Sequence, residues 1–309
     1  MSPVPAYLGI SDPEWNERLH AARGLFAGCR CCPRQCRVDR PAGEKGFCGA
    51  GAEIVVASSG PHFGEEPPIS GTRGSGAVFF THCTMRCVYC QNYPFSRLGQ
   101  GRVRSAGELA ACMTMLQEKG CHNINLVTPA HFIPPVIQAL RLAVDRGLRI
   151  PIVYNTSSFE NPEVLSLLDG IVDIFLADMR YADPAMSERY SGVREYPEKA
   201  RDALKEMYRQ VGPLMTDHDG IGSQGLIVRH LVLPNGIAGS REVFSFIATE
   251  LSKDVPVSLM SQYYPAYQAI GIPELSRPIT AREYEEALQW LEESGLTEGW
   301  RQGLEDEGE

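Results

Sequence analysis

The sequence predicts an α/β protein built on a parallel sheet, and two observations carry that expectation. From residue 76 onward, six short apolar runs alternate with helical patterns, the signature of βαβ units. Each run is nearly continuous rather than alternating, as expected of strands covered on both faces. A third observation adds a module. Residues 29–48, CRCCPRQCRVDRPAGEKGFC, are dense in Cys, Arg, Gly and Pro and too polar to build an apolar core.

The elements follow in chain order. Asp12 as N-cap, Pro13 at the first helical position and Gly24 after the last turn mark an opening helix. The stretch 58–76, SSGPHFGEEPPISGTRGSG, is made of turn formers and reads as plain loop, because it lacks the Lys-Ser/Thr pair of a phosphate loop. The six strands are GAVFFTH, NINLVTP, IPIVYNTS, VDIFLADMR, GLIVRHLVLP and VPVSLMSQYYP, with helical patterns such as PPVIQALRLAVDRG and PEKARDALKEMYRQVG between them. Thr280 with Glu283 caps a closing helix whose apolar face is Tyr284, Ala287, Leu288 and Leu291. Six repeats suit either an open doubly wound sheet or an incomplete barrel. The expected division is 1–28 for the N-terminal helix, 29–70 for the cysteine-rich module and linker, 71–270 for the sheet domain, and 271–309 for a C-terminal helix and acidic tail.

Net charge is −9 and the basic residues are scattered, which disfavours a nucleic-acid partner. The ending EDEGE reads as a solvated tail. No basic-then-apolar leader opens the chain, and no run reaches the roughly 18 apolar residues of a spanning helix. A cytoplasmic protein without membrane contact is therefore expected. In that reducing compartment, ten cysteines point to metal or catalysis rather than to disulfides.

Three of them, Cys83, Cys87 and Cys90 in THCTMRCVYCQN, fall at the carboxyl end of the first strand. Ligands of parallel α/β folds bind at that end. Three thiolates are one short of a closed zinc site, whereas a [4Fe–4S] cube offers four iron corners and would keep one open. Polar residues gather at the other strand ends: Thr128, Asn155, Thr156, Asp178, Arg180 and Arg229.

At these residues the sequence resembles a known family. Cys-x3-Cys-x-aromatic-Cys, here Cys83, Cys87, Tyr89 and Cys90, is similar to the signature of the radical S-adenosylmethionine (radical SAM) enzymes. The resemblance implies a partial (β/α)6 barrel, an open iron that chelates S-adenosylmethionine, and reductive cleavage to a 5′-deoxyadenosyl radical that abstracts hydrogen from a substrate. The phrases GEEPPISGTRGSGAVFFTHCTMRCVYCQN, TPAHF and IVRHLVLPNG resemble a branch described as pyruvate formate-lyase activating enzyme-like. That branch implies a glycyl-radical enzyme as partner and a flavodoxin- or ferredoxin-type electron donor. Carried over by residue, Tyr89 matches the aromatic whose backbone lies beside the adenine. Asp178-x-Arg180 stands where activases have Asp-x-Lys, and Arg229 matches an arginine near the substrate. Thr128-Pro129-Ala130-His131 replaces the usual Gly-Gly-Glu, so Thr128 or His131 is expected to receive the cofactor's ammonium. Asn155 is expected in the same pocket.

Cys29-x2-Cys32-x3-Cys36-x11-Cys48 supplies four thiolates, enough to close a tetrahedral site. Zinc and a second iron–sulfur cluster both fit that spacing, and Cys31 is an extra thiol able to replace Cys29 or Cys32. Cys112 and Cys121 read as packed thiols. DHDGIGSQG (217–225) begins like a calcium loop, but Val228 stands where Glu is required, so it reads as a turn. Two other functions stay open: a radical reaction on a small molecule or another peptide, and, in a different class, a non-catalytic electron-transfer or interaction protein.

Overall fold

Six of the apolar runs form the parallel heart of one sheet. The computed structural model describes residues 4–304, so the acidic ending lies outside the described residues. The strands are β1 (Ile54–His62), β2 (Ser75–Phe80), β3 (Arg102–Arg104), β4 (Ile124–Val127), β5 (Ile152–Thr156), β6 (Ile174–Asp178), β7 (Met215–Thr216), β8 (Gly222–Leu231), β9 (Val257–Met260) and β10 (Gly299–Arg301). The helices are α1 (Asp12–Gly24), α2 (Pro67–Ser70), α3 (Tyr93–Ser96), α4 (Ala106–Glu118), α5 (Ile133–Asp145), α6 (Pro162–Leu168), α7 (Pro184–Ser191), α8 (Tyr196–Val211), α9 (Ser240–Phe246) and α10 (Ala281–Glu293).

Strand order is β10-β9-β8-β6-β5-β4-β2-β1-β3. The run β2, β4, β5, β6, β8, β9 is parallel throughout, with Val78 opposite Leu126, Leu126 opposite Tyr154 and Asp178 opposite Arg229. The parallel strands follow one another in chain order without the reversal of a doubly wound sheet, and the edges β10 and β3 do not pair, so the fold is the incomplete (β/α)6 barrel. β4, β5, β6 and β9 are buried at every residue, because helices cover one face and the barrel interior the other. α8 shows how the outer layer is coded. It buries Ala200, Ala203, Leu204, Met207 and Val211, one stripe at helical spacing. No described helix is long and apolar enough to cross a membrane.

Alternation along the strands sorts the interior. Val153, Ile174, Leu176 and Ile227 pack with Ile69 of α2 as an apolar cluster separate from the outer core. Asn155, Asp178 and Arg229 continue the same faces towards the carboxyl ends, since side chains repeat with period two. The barrel therefore has a greasy floor and a polar mouth.

Three expectations are corrected. Ser11, not Asp12, caps α1: its hydroxyl and Glu14 form a reciprocal capping box, and Asp12 is the first helical residue. The stretch 58–76 is not plain loop. It contains the end of β1, α2 and the start of β2, and Ile69 inside it is fully buried. Turn-forming composition hid this, because the segment is ordered by the barrel floor that receives it. Finally, the chain after α10 (capped as expected by Thr280 and Glu283) does not pass straight into a tail. It adds β10 parallel to β9.

Candidate metal and cofactor site

The loop after β2 is fixed by backbone bonds to two other segments. Arg86 N donates to Ser191 O at 3.2 Å and Val88 N to Tyr190 O at 2.9 Å, while Val88 O accepts from Gln268 N and Ala269 N. His82, Thr128 and Ser158, each within two residues of the end of β2, β4 or β5, hold left-handed backbone at φ 64°, 58° and 62°. Such conformations cost about 1–2 kcal/mol per residue and persist where surrounding structure over-determines them.

Donors surround the sulfurs. Cys87 Sγ accepts from Ser191 Oγ at 3.0 Å and Arg180 Nη1 at 3.4 Å. Cys90 Sγ lies 3.1 Å from Ser96 Oγ. Burial pushes the Cys83 thiol up to about 12, helped by Cys87 and Cys90 close by, and burial raises Cys90 as well. As free thiols, Cys83 and Cys90 therefore hold their protons, whereas a bound cation would reverse that preference. Three sulfurs in one loop, with hydrogen-bond donors aimed at two of them, fit an iron–sulfur cube with one open corner.

Beside the loop is a cavity of about 190 Å³ whose lining includes Tyr89, Cys90, Asp178, Arg180, Arg229 and Gln262. Asp178 stands between both guanidiniums: Arg180 Nη2 donates to Oδ2 at 2.6 Å and Arg229 Nε to Oδ1 at 2.8 Å. Burial alone would raise its carboxyl, but Arg229 and Arg180 outweigh burial and hold it below its ordinary value. Asn155 joins indirectly, accepting from Arg229 Nη2 at 2.7 Å.

Glu65 completes this network, and sequence reasoning missed it. Its carboxylate accepts from Arg229 at 3.1 Å, Asn125 at 3.0 Å and Asn155 at 3.2 Å. The only signal was a pair of carboxylates in the loop-like GEEPPIS. Nothing local shows that this loop enters the barrel.

The remaining expected residues are placed as follows. Tyr89 is buried edge-on against Tyr181 and Tyr263. Thr128 sits at the β4 end, its amide donating to Asn155 O at 2.8 Å. Thr156 turns away and donates to Glu160 at 2.5 Å. His131 is not among the residues lining the cavity. It is fully buried, its Nε2 lies 2.7 Å from Thr81 O, and its carbonyl accepts from Arg40. Burial lowers its imidazole to about 3, so it is neutral at ordinary pH. Cys121 is buried and Cys112 half-buried. Asp217, His218 and Asp219 bring donor atoms within 4.8 Å of one another on the turn between β7 and β8, where Asp217 accepts from the amides of Asp219 and Ile221.

Comparison with known proteins adds to this geometry. Residues 77–218 match the Radical SAM superfamily. The chain is 29% identical over 287 residues to "Uncharacterized protein MJ0674" of Methanocaldococcus jannaschii, covering 90% of this chain and 78% of that one. Among solved structures it is similar to HydG, "a maturase of the [FeFe]-hydrogenase", with a TM-score of 0.49 and 12% identity, over 95% of this chain and 57% of that one. It is also similar to anSMEcpe with bound AdoMet, with a TM-score of 0.45 and 10% identity, over 74% and 59%. The chain spans less than two thirds of either solved chain. The matched stretch contains the three-cysteine loop, Asp178 and Arg180.

Proposed function

We propose that the protein is a radical S-adenosylmethionine enzyme that takes hydrogen from a glycine of a glycyl-radical enzyme. The observation that carries the reading is the shared wall of loop and cavity. Cys90 belongs to the three-thiol loop and also lines the pocket that holds Asp178, Arg180 and Arg229. Cys83, Cys87 and Cys90 would hold a [4Fe–4S] cluster, and the cavity would hold S-adenosylmethionine. Together these groups supply one-electron cleavage chemistry that ordinary side chains cannot.

The chain's own residues bind and orient. Asp178, kept ionised by its neighbours, offers an acceptor for an ammonium group, and Arg180 and Arg229 offer donors for a carboxylate. That combination suits the zwitterionic end of the cofactor. Tyr89, Leu231 and Met260 give the cavity an apolar side that limits water near a reactive site. The glycine substrate rests on the branch-like phrases around residues 64–92 and 227–236, and so does a flavodoxin- or ferredoxin-type electron donor.

The test is anaerobic reconstitution followed by assay of 5′-deoxyadenosine, with and without a candidate glycyl-radical partner. Reductant-dependent product that the partner stimulates, together with a glycyl radical signal on the partner, supports the reading. Product without any radical on the partner would leave the chemistry standing and sink the glycine substrate. Cys87→Ala is expected to abolish product, and a variant that still forms it would overturn the cluster assignment.

A further inference from the structure

The segment between α1 and β1 has no helix or strand of its own beyond one isolated bridge, Ala27 with Asp39. Even so, Cys29, Cys31 and Cys32 are only 1%, 0% and 6% exposed. Something other than regular structure must order it. Two turns present the thiols. Cys32 O accepts from Gln35 N at 3.0 Å, and Gly46 O accepts from Gly49 N at 2.9 Å across Phe47 and Cys48. Cys36 lies between Gln35 and Arg37, both in left-handed backbone at φ 39° and 60°. The turns converge. A Cβ placed on Gly46 would stand 3.3 Å from Cys36 Sγ and 3.4 Å from Cys48 Sγ, so sulfurs from separate turns meet at one glycine. The Cys31 thiol lies against Cys29 and 4.0 Å from Leu25 O, at the end of α1.

A buried charge supplies the second, independent observation. Arg40 is 1% exposed, and its polar partners include the carbonyls of Gly51 and His131 and the sulfurs of Cys29 and, at 3.5 Å, Cys48. No described carboxylate is within ion-pair distance. A guanidinium removed from water needs an anion beside it. Neutral thiols do not provide one, but four thiolates on zinc or on an iron–sulfur cube carry about two net negative charges.

The same turns grip the loop after β2. Arg34, between Cys32 and Cys36, donates from Nε to Thr84 O at 2.7 Å and from Nη2 to Gly192 O at 3.0 Å. Phe47, next to Cys48, has the Arg34 guanidinium 3.7 Å and the Arg86 guanidinium 3.9 Å from its ring centre. Arg86 Nη2 also donates to Phe47 O at 2.8 Å. Thr84 and Arg86 lie between Cys83 and Cys87, so each turn sends one side chain onto the three-cysteine loop.

We propose that Cys29, Cys32, Cys36 and Cys48 bind one thiophilic metal centre of their own, and that this centre positions the Cys83–Cys90 loop through Arg34 and Phe47. The shared chemistry is a four-thiolate dianionic centre, and zinc and an iron–sulfur cube are its two possible sources. The inference does not depend on radical chemistry, because it is tested in full-length protein carrying Cys83→Ala, Cys87→Ala and Cys90→Ala together.

In that protein, metal analysis after anaerobic purification and reconstitution is expected to give about one zinc or about four irons per chain, and the absorption of a cube separates the two. Adding Cys36→Ser is expected to abolish the bound metal. Neither metal near one centre per chain, or metal unaffected by Cys36→Ser, overturns the site. Positioning is read by hydrogen exchange of residues 82–92. Arg34→Ala, which keeps all four thiolates, is expected to leave the metal in place and speed exchange there by on the order of tenfold, with β4 to β6 unchanged. Should Cys36→Ser fail to fold, Arg34→Ala still decides the positioning role, and unchanged exchange overturns it.

Discussion

Arg180 stands between two partners, the Asp178 carboxylate at 2.6 Å and the Cys87 sulfur at 3.4 Å. Replacing it with Ala removes a charge-assisted donor without removing a thiol. We expect S-adenosylmethionine to bind on the order of tenfold more weakly, about 1.4 kcal/mol, with iron content unchanged. Anaerobic equilibrium dialysis beside iron analysis checks this, and loss of iron would make Arg180 a support of the loop instead. Glu160 behaves differently. Burial pushes its carboxyl from 4.5 up to about 7, so its folded value lies above its unfolded one. Between those values the folded state holds the extra proton, and stability falls as pH rises through the window. Glu160→Gln removes that term. Relative to the parent, the variant should gain up to about 3 kcal/mol between pH 5 and pH 8, and urea titration at both pH values measures it. A pH-independent difference would mean that Glu160 is ionised throughout.

At the scale of elements, the segment carrying Glu65 and α2 does two jobs. Ile69 fills the floor with Val153, Ile174 and Ile227, while Glu65 offsets Arg229 inside the mouth at 3.1 Å. Its side chain is 8% exposed, so deleting the carboxylate strands a buried guanidinium with one fewer counter-charge. Glu65→Ala is expected to lower unfolding free energy by about 3 kcal/mol, and chemical denaturation should show it. A loss below ~1 kcal/mol would place Arg229 under the control of Asp178 alone. The long helices were legible beforehand because capping and period are local. Thr280 with Glu283 and the α8 stripe needed no tertiary information. Short α2 was not legible, since four residues starting with two prolines carry no period and are shaped by what they plug.

Across the whole molecule, the sheet ends at β10 on one side and β3 on the other. Gly299 makes the first of these edges possible. Its φ is +114°, and a Cβ there would run into the backbone of Val257 on β9. Gly299→Ala should therefore detach β10. Amides of Val257–Met260 are expected to exchange faster while β4 to β6 stay protected. Exchange unchanged at β9 would show that the edge tolerates the side chain. β10 escaped the sequence reading because three half-buried residues, Gly-Trp-Arg, have no strand-like pattern apart from the neighbour they pair with.

The sequence by itself determined the parallel α/β class, the six central strands, and the two cysteine groups, one of them at a strand end. Apolar runs and ligand spacing are local properties and survive without coordinates. The curl into an incomplete barrel was implied by the family resemblance, because apolar runs alone suit an open sheet equally, whereas only the tertiary structure showed that His131 is fully buried beside Thr81 and that Glu65 reaches Arg229. Only it showed Arg40 buried beside Cys48, and Arg34 bridging one cysteine group to the other. Each of these depends on residues 50 or more positions apart or on a side chain's burial, and single-chain patterning encodes neither. Charge is the clearest case. A sequence records that Arg40 is basic, but only burial makes that charge demand an anion.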